Sequence, residues 1–420
     1  MERRILVHME LAGQTCAVGR LWTRSRNGQD SATFEYDRRW LAHPHAFSLE
    51  PALTLGPGPH HTGPDRPLFG ALGDSAPDRW GRLLMRRAER RRAVQEKRTP
   101  RTLGETDFLL MVDDETRMGA LRFADSEDGP FLAPAASGSR RVPPLVDLPK
   151  LLAATERAGA DKDTAEDIRL LLAPGSSLGG ARPKAVVADR DGSLAIAKFP
   201  QKSDEINAVL WEAVALELAA KSGIPVPEWR LETAARRPVL ISRRFDRVQG
   251  RRVPFLSALS MLGARDHEPR SYMEIADAIR RHGAEPKEDL RQLWRRIVFN
   301  VMISNTDDHL RNHAFLHEGN RGWRLSPAYD LNPVPPEFKP RVLSTLIDLH
   351  DGTASLDLAL SVCGYFLTPL AEARTTAAAI SRAVGRWRLA AKRFGAKASE
   401  IDRMAPAFEH AGRRAASSAA

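Results

Sequence analysis

The stretch from Asn312 to Asp330 constrains the fold of this chain more than any other. Ala314-Phe315-Leu316-His317 is a short apolar run, Glu318-Gly319-Asn320-Arg321-Gly322 is a polar turn carrying glycine, and Trp323-Arg324-Leu325 is a second short run. Two such runs around a glycine-bearing turn predict a β-hairpin. A hairpin returns the chain to where it began, so Asp330 is expected beside the loop that ends at Asn312. Asp and Asn are common turn residues, and either one alone fits an ordinary turn. The hairpin is what gives them a shared location.

That loop reads Asn305-Thr306-Asp307-Asp308-His309-Leu310-Arg311-Asn312-His313-Ala314. Asp307 and Asn312 have the D-x-x-x-x-N spacing of a phosphoryl-transfer loop, which needs one carboxylate for the attacking hydroxyl and a neutral oxygen ligand for Mg²⁺. Asp307 fits the catalytic position, and Asp308 is one residue out of register. Asn312 and Asp330 are the candidate metal ligands. The triplet at the second site is Asp330-Leu331-Asn332, not the D-F-G of protein kinases. His309 is expected to orient Asp307 or cap the loop. His313 flanks the loop, and a metal role for either His lacks a third partner.

Upstream, Ala195-Ile196-Ala197-Lys198-Phe199 places a Lys in a short apolar strand, like the V-A-I-K strand whose Lys reaches nucleotide phosphates. Alternation puts Ile196 and Lys198 on one face. Before it lies the small-residue loop Gly175-Ser176-Ser177-Leu178-Gly179-Gly180-Ala181-Arg182-Pro183-Lys184. Such a loop lets backbone N–H groups approach phosphate oxygens, with Lys184 or Arg182 adding charge. A helical pattern from about Glu205 to Ser222 follows, ended by Gly223 and Pro225. Glu212 is the first choice for an acidic partner of Lys198, with Glu205 and Glu217 as alternatives. Val239-Leu240-Ile241-Ser242-Arg243-Arg244-Phe245-Asp246-Arg247 reads as a buried strand and a charged turn, the place of an adenine-binding hinge in this order of elements.

Taken together, these segments resemble the HipA toxin family of bacterial serine/threonine kinases. Ser177 to Lys184, Lys198, Arg244-Phe245-Asp246-Arg247, Asn305-Thr306-Asp307 with Asn312, and Tyr329-Asp330 carry the likeness. Phe34-Glu35-Tyr36 with Trp40-Leu41, Asp74 to Arg82, and Met118 to Phe123 look like the family's N-terminal subdomain, so the likeness runs from about residue 4 to about 410. It implies an α+β, kinase-like two-lobe fold, with a small β-rich lobe and a large helical lobe, preceded by an N-terminal α/β accessory subdomain. The implied boundaries are 1–125 for the accessory subdomain, 126–145 for a linker, 146–248 for the small lobe and 249–415 for the large lobe. It implies ATP and Mg²⁺ as cofactors, Asp307 as the catalytic residue, Asn312 and Asp330 as metal ligands, and Lys198, Ser177, Gly179, Gly180, Lys184, Arg244 and Phe245 around the nucleotide. Ser177, with Ser176 as the alternative, matches the serine whose autophosphorylation inactivates family members. The implied partners are a small helix-turn-helix antitoxin, with DNA met only through it, and a protein substrate such as an aminoacyl-tRNA synthetase. Arg182-Pro183 departs from the Gln-Glu of some relatives, and Pro183 removes one backbone donor.

Composition sets outer limits. No run approaches the ~18 uncharged apolar residues of a membrane span, and Met1 to Met9 is too short in apolar residues for a signal peptide. The two cysteines, Cys16 and Cys363, lack metal-ligand spacing and suit a reducing compartment, so the cytoplasm is expected. The net charge of +10 owes much to arginine, as in Arg86-Arg87-Ala88-Glu89-Arg90-Arg91-Arg92, and suits either a solvated helix face or attraction to polyanions. A small-molecule phosphotransferase shares the Asp/Asn/Asp pattern, and a catalytically silent partner of a DNA-bound repressor is a third reading. The N-terminal subdomain and Ser177 disfavour the former. Retention of Lys198, Asp307, Asn312 and Asp330 disfavours the latter.

Overall fold

The chain opens on a hairpin of β1 (Glu2–Leu11) and β2 (Gln14–Arg26). Leu11 pairs directly with Gln14, leaving Ala12 and Gly13 as a two-residue loop, both at positive φ (52° and 84°). That is the turn whose twist matches a β-ribbon, and Gly13 adopts it without a Cβ clash. β3 (Gln29–Tyr36), β4 (Pro59–His61) and β5 (Leu121–Ala124) complete a five-stranded sheet ordered β4-β3-β2-β1-β5, with Ile5, Val7, Leu21 and Phe34 fully buried. This computed structural model describes residues 2–26, 29–63, 65–132, 142–172, 180 and 182–413.

Helix α1 (Arg79–Gln95) and helix α2 (Glu105–Met111) follow. Asp78 caps α1 by accepting from the Gly81 N–H at 2.8 Å. Helices α3 (Leu148–Gly159) and α4 (Ala165–Leu172) lead to a four-stranded sheet of β6 (Lys184–Ala188), β7 (Leu194–Lys198), β8 (Trp229–Ala234) and β9 (Arg237–Arg243), ordered β6-β7-β9-β8. Ala185, Val187, Ala195, Ala197 and Ile241 on one face of the sheet share a core with Trp80 and Leu84 of α1, Leu151 of α3 and Ile168 of α4. The alternation that sends Ala195 and Ala197 inward leaves Ile196 and Lys198 half-buried on the other face.

The remaining helices form a second unit. The chain divides into residues 1–202 with 232–256, and 203–231 with 257–420. The expected 146–248 segment is thereby split. Its helix, α5 (Ala208–Lys221), belongs with the helical part because it is apolar all round: Val209 to Ala219 are buried without a break. Trp211 on α5 donates to Glu400 at 2.8 Å and lies 6.0 Å from both the Trp387 and Phe408 rings. α6 (Tyr272–His282) starts from a Ser271/Glu274 capping box, and α7 (Pro286–Ile303) has Pro at its first position. The hairpin is present as β10 (Ala314–His317) and β11 (Trp323–Leu325). Towards the C-terminal part come α8 (Leu370–Val384), α9 (Trp387–Arg393) and α10 (Ala398–Phe408). The break at Gly385 lets Trp387 stack on Phe408, ring centroids 4.7 Å apart, and that aromatic burial outweighs continued helix propensity. Among the described residues no helix is long and apolar enough to cross a membrane.

Candidate active site

In the second unit, α7 ends at Ser304 in the left-handed conformation (φ 53°), which turns the chain sharply into the loop. Asn305 fixes the turn: its amide donates to Asn300 Oδ1 at 3.1 Å, and its Oδ1 accepts from the Asn332 N–H at 3.4 Å. One side chain thus links the loop to the segment carrying Asp330. Tyr329 adds a second link, its hydroxyl donating to the Arg311 carbonyl at 2.6 Å.

The two adjacent aspartates face opposite ways. Asp308 is 2% exposed and accepts from Asn300 Nδ2 at 2.8 Å, from His313 Nε2 at 2.7 Å and from the Tyr272 hydroxyl. Burial alone would raise its pKa, but His313 and the Tyr272 hydrogen bond hold the carboxyl below its ordinary value. Burial and the same carboxylate push the Tyr272 hydroxyl well up, so it remains a donor. Asp308 is therefore the anchor of the loop. Asp307 is the reverse: its side chain is 62% exposed, and its one side-chain partner among the described residues is Lys339, whose Nζ lies 3.3 Å from Oδ1.

Asn312 donates through Nδ2 to the Asp307 carbonyl at 3.2 Å, while its buried Oδ1 accepts nothing. A buried acceptor left unpaired costs about 1–3 kcal/mol, which a ligand at that atom would offset. Asp330 is half-buried and sits at φ 57°, an uncommon left-handed conformation for a non-glycine residue, with Asn332 Nδ2 donating to its carbonyl at 3.1 Å. An amide oxygen and a carboxylate are hard donors, and Mg²⁺ is commonly held by one or two protein carboxylates plus substrate phosphates. These residues fit Mg²⁺. No cluster of three His, Cys, Asp or Glu suited to a metal occurs among the described residues. His309 makes no side-chain cap; its backbone N–H donates to the Asp307 carbonyl at 2.9 Å, and its carbonyl accepts from Asn312.

Of the three acidic candidates around α5, two are taken up within the second unit. Glu205, upstream of the helix, pairs with Arg403, and Glu217 pairs with Lys221 and Arg393. Glu212 is 5% exposed in the middle of α5.

In the first unit, Lys198 ends β7 in register with Lys184 on β6. Lys184 requires a correction. It lies in the strand, not in the loop; its side chain is 3% exposed and its ammonium is 2.6 Å from Asp78. Like charges directly opposite in a sheet repel, and Asp78 neutralises one of them while capping α1. The Lys184 ammonium is thus engaged by Asp78 and by the Gly180 carbonyl at 3.2 Å. Arg244 also requires correction: its side chain is fully buried, donating to Asp246 at 2.8 Å and to the Arg117 carbonyl at 3.0 Å. Phe245 is half-buried, its ring 6.3 Å from that of Phe255. Gly180 adopts φ 71° with open space where a Cβ would be. Ser176, Ser177 and Gly179 lie outside the described residues.

Spacing singled out Asp307, Asn312 and Asp330 and gave no role to the side chains of Asn300, Asn305, Tyr272 and Lys339. A polar residue inside the apolar run of α7 marks Asn300. Nothing local marks Lys339.

The model of the HipA-like C-terminal domain family matches residues 176–408, more than half of the chain. A Sinorhizobium fredii protein named "Putative kinase Y4mE" is 24% identical over 352 residues, 76% of each chain. A Haemophilus influenzae protein, also named a "Putative kinase", is 32% identical over 99 residues, 23% of this chain and 29% of its own. Among solved structures, HipA of Shewanella oneidensis, determined with HipB and its operator DNA, superposes with a TM-score of 0.67 at 16% identity, covering 99% of this chain and 96% of that one. This likeness shows a shared mixed helix-and-sheet fold.

Proposed function

This chain belongs to the HipA-like C-terminal domain family, and on that footing we propose that it is an ATP- and Mg²⁺-dependent protein serine/threonine kinase, the toxin of a toxin–antitoxin pair. The observation that carries the reading is the division of labour in one loop. Asp308 is buried as anchor, Asp307 is presented to solvent, and the Asn312 amide oxygen is left unpaired. A purely structural loop gains nothing by exposing one carboxylate and orphaning a buried acceptor beside it.

In this reading Asp307 accepts the hydrogen of the attacking hydroxyl and aims its oxygen at the γ-phosphorus. Asn312 and Asp330 would hold the metal, which would supply positive charge to the phosphate oxygens, and Lys198 is assigned to the nucleotide phosphates. The names of the two kinase homologues support the chemistry. The complex of the structural neighbour with HipB and operator DNA supports a small DNA-binding antitoxin as partner. A translation component, such as an aminoacyl-tRNA synthetase, is the proposed substrate class. Autophosphorylation at Ser177, or secondarily Ser176, is the proposed route of inactivation: the added charge of about −1.5 to −2 would repel nucleotide phosphates.

The test is transfer of labelled γ-phosphate from ATP with Mg²⁺, to the chain itself and to water. Asp307→Asn should lower the rate about 10²–10⁴-fold with ATP affinity retained. Parental turnover in Asp307→Asn would overturn the assignment of this loop.

A further inference from the structure

Lys339 comes from the stretch Pro333-Val334-Pro335-Pro336-Glu337-Phe338-Lys339-Pro340, far from the loop in sequence. Its ammonium reaches the Thr306 carbonyl at 3.0 Å, Asp307 Oδ1 at 3.3 Å and Ser344 Oγ at 3.4 Å. An ammonium has three N–H donors, and each has an acceptor here. The stretch is fixed on both sides of the lysine. The Val334 N–H donates to the Ser304 carbonyl at 3.1 Å, and the Ser344 N–H and hydroxyl both donate to the Thr306 carbonyl, at 3.2 and 2.9 Å. Arg341 donates to Ser304 Oγ at 3.0 Å and to the Val301 carbonyl at 2.9 Å. Four prolines further limit the backbone. Lys339 is therefore held against Asp307 by its surroundings, not by the ion pair alone.

We propose that Lys339 is a positioning residue for phosphoryl transfer: it occupies Oδ1 of Asp307 and leaves Oδ2 as the oxygen that receives the acceptor hydroxyl. The proposal rests on the kinase reading above. An exposed carboxylate turns easily about its last torsion, whose preference is broad and two-fold. Pinning one oxygen removes that freedom. Among the described residues Oδ2 of Asp307 has no hydrogen-bond partner, so one oxygen is held and one is open. The side chains are 41% and 62% exposed, and ion pairs this exposed contribute little to stability. Their effect is expected in the geometry of the reactive complex, where small misplacements lower rates strongly.

The experiment compares the full-length parent, Lys339→Met and Lys339→Arg. It follows ADP release from ATP and Mg²⁺, together with label transfer to the chain. Lys339→Met should lower kcat about tenfold and leave the KM for ATP within about twofold, because the proposed role of the lysine is to orient Asp307 and not to bind nucleotide. Lys339→Arg keeps a cation that can reach Oδ1 and should recover most of the loss. A thermal melt coinciding with the parent's verifies that Lys339→Met is folded. An active parent with undiminished kcat in Lys339→Met overturns the role of Lys339 alone. So does equal loss in both variants, or a rise in KM with kcat unchanged. A parent that turns over no ATP overturns the kinase reading itself.

Discussion

The first unit and the catalytic-type loop of the second unit use buried charge in opposite ways. In the first unit Asp246 is fully enclosed and accepts from Arg244 at 2.8 Å, from Arg247 at 2.7 Å and from the Gly119 N–H at 2.7 Å. Burial would raise its pKa, yet the two guanidiniums hold it down to about 2. Arg244 spends its remaining donors on the carbonyls of Thr116 and Arg117, tying the turn after β9 to the segment before β5. In the loop, Asp308 is enclosed just as fully, but its neighbours leave a carboxylate exposed and an amide oxygen empty. Saturated charge around Asp246 builds scaffold, whereas in the loop an exposed carboxylate and an unpaired amide oxygen stand beside a saturated anchor. The arginine run on α1 is scaffold too: Arg87 and Arg91 pair with Asp163, Arg92 pairs with Glu96, and Arg86 lies over the Phe108 ring. Most of its charge is answered within the first unit, which weakens the polyanion reading.

The contrast can be broken by exchanging what is removed. The largest effect on stability should come from Asp246→Ala, which strands two buried guanidiniums and should cost about 3–5 kcal/mol, read as a fall in the denaturation midpoint. A loss below about 1 kcal/mol would mean that this network is not structural.

Glu50 sharpens the comparison, because it is the first unit's exception. It is 2% exposed and meets the Ala71 N–H at 2.5 Å instead of a cation. Burial, with Asp74 adding repulsion, raises its pKa to about 7. A raised folded pKa means that the stability contribution is complete below the unfolded value of about 4.3 and is lost as pH rises through about 7. Glu50→Gln should therefore gain up to about 3 kcal/mol at pH 8.5 relative to the parent, and almost nothing at pH 4. Urea midpoints at the two pH values measure this, and equal gains at both would refute it.

The smallest stability effect should be Asp307→Asn, within about 0.5 kcal/mol of the parent, even though the same change is expected to remove turnover. Unfolding by Asp307→Asn would place Asp307 with the scaffold and erase the difference between the regions.

Local pattern carried a great deal. The helical pattern from about Glu205 to Ser222, closed by Gly223 and Pro225, placed α5 to within a few residues, because glycine and proline end a helix. The glycine-bearing turn between two short runs fixed the hairpin, and with it the proximity of Asn312 and Asp330 in sequence-local terms. Asn305, Asp307, Asp308 and Asn312 were visible as a polar island after an apolar helix.

What the sequence could not decide was which charges meet. Lys184 reads as a loop cation because it follows glycines, but chain closure brings Asp78, 106 residues away, within 2.6 Å and buries both. Arg244 reads as a hinge residue until carbonyls more than a hundred positions earlier accept its donors. Glu217 and Glu205 look equivalent to Glu212 along the helix, and only neighbours from the C-terminal helices separate them. Lys339 has no local signal at all. Secondary structure follows from periodicities of a few residues, which sequence records directly. Charge pairing follows from which segments lie within about 4 Å after folding, where Coulomb attraction and desolvation both depend on distance and burial, and those are set by the tertiary packing alone.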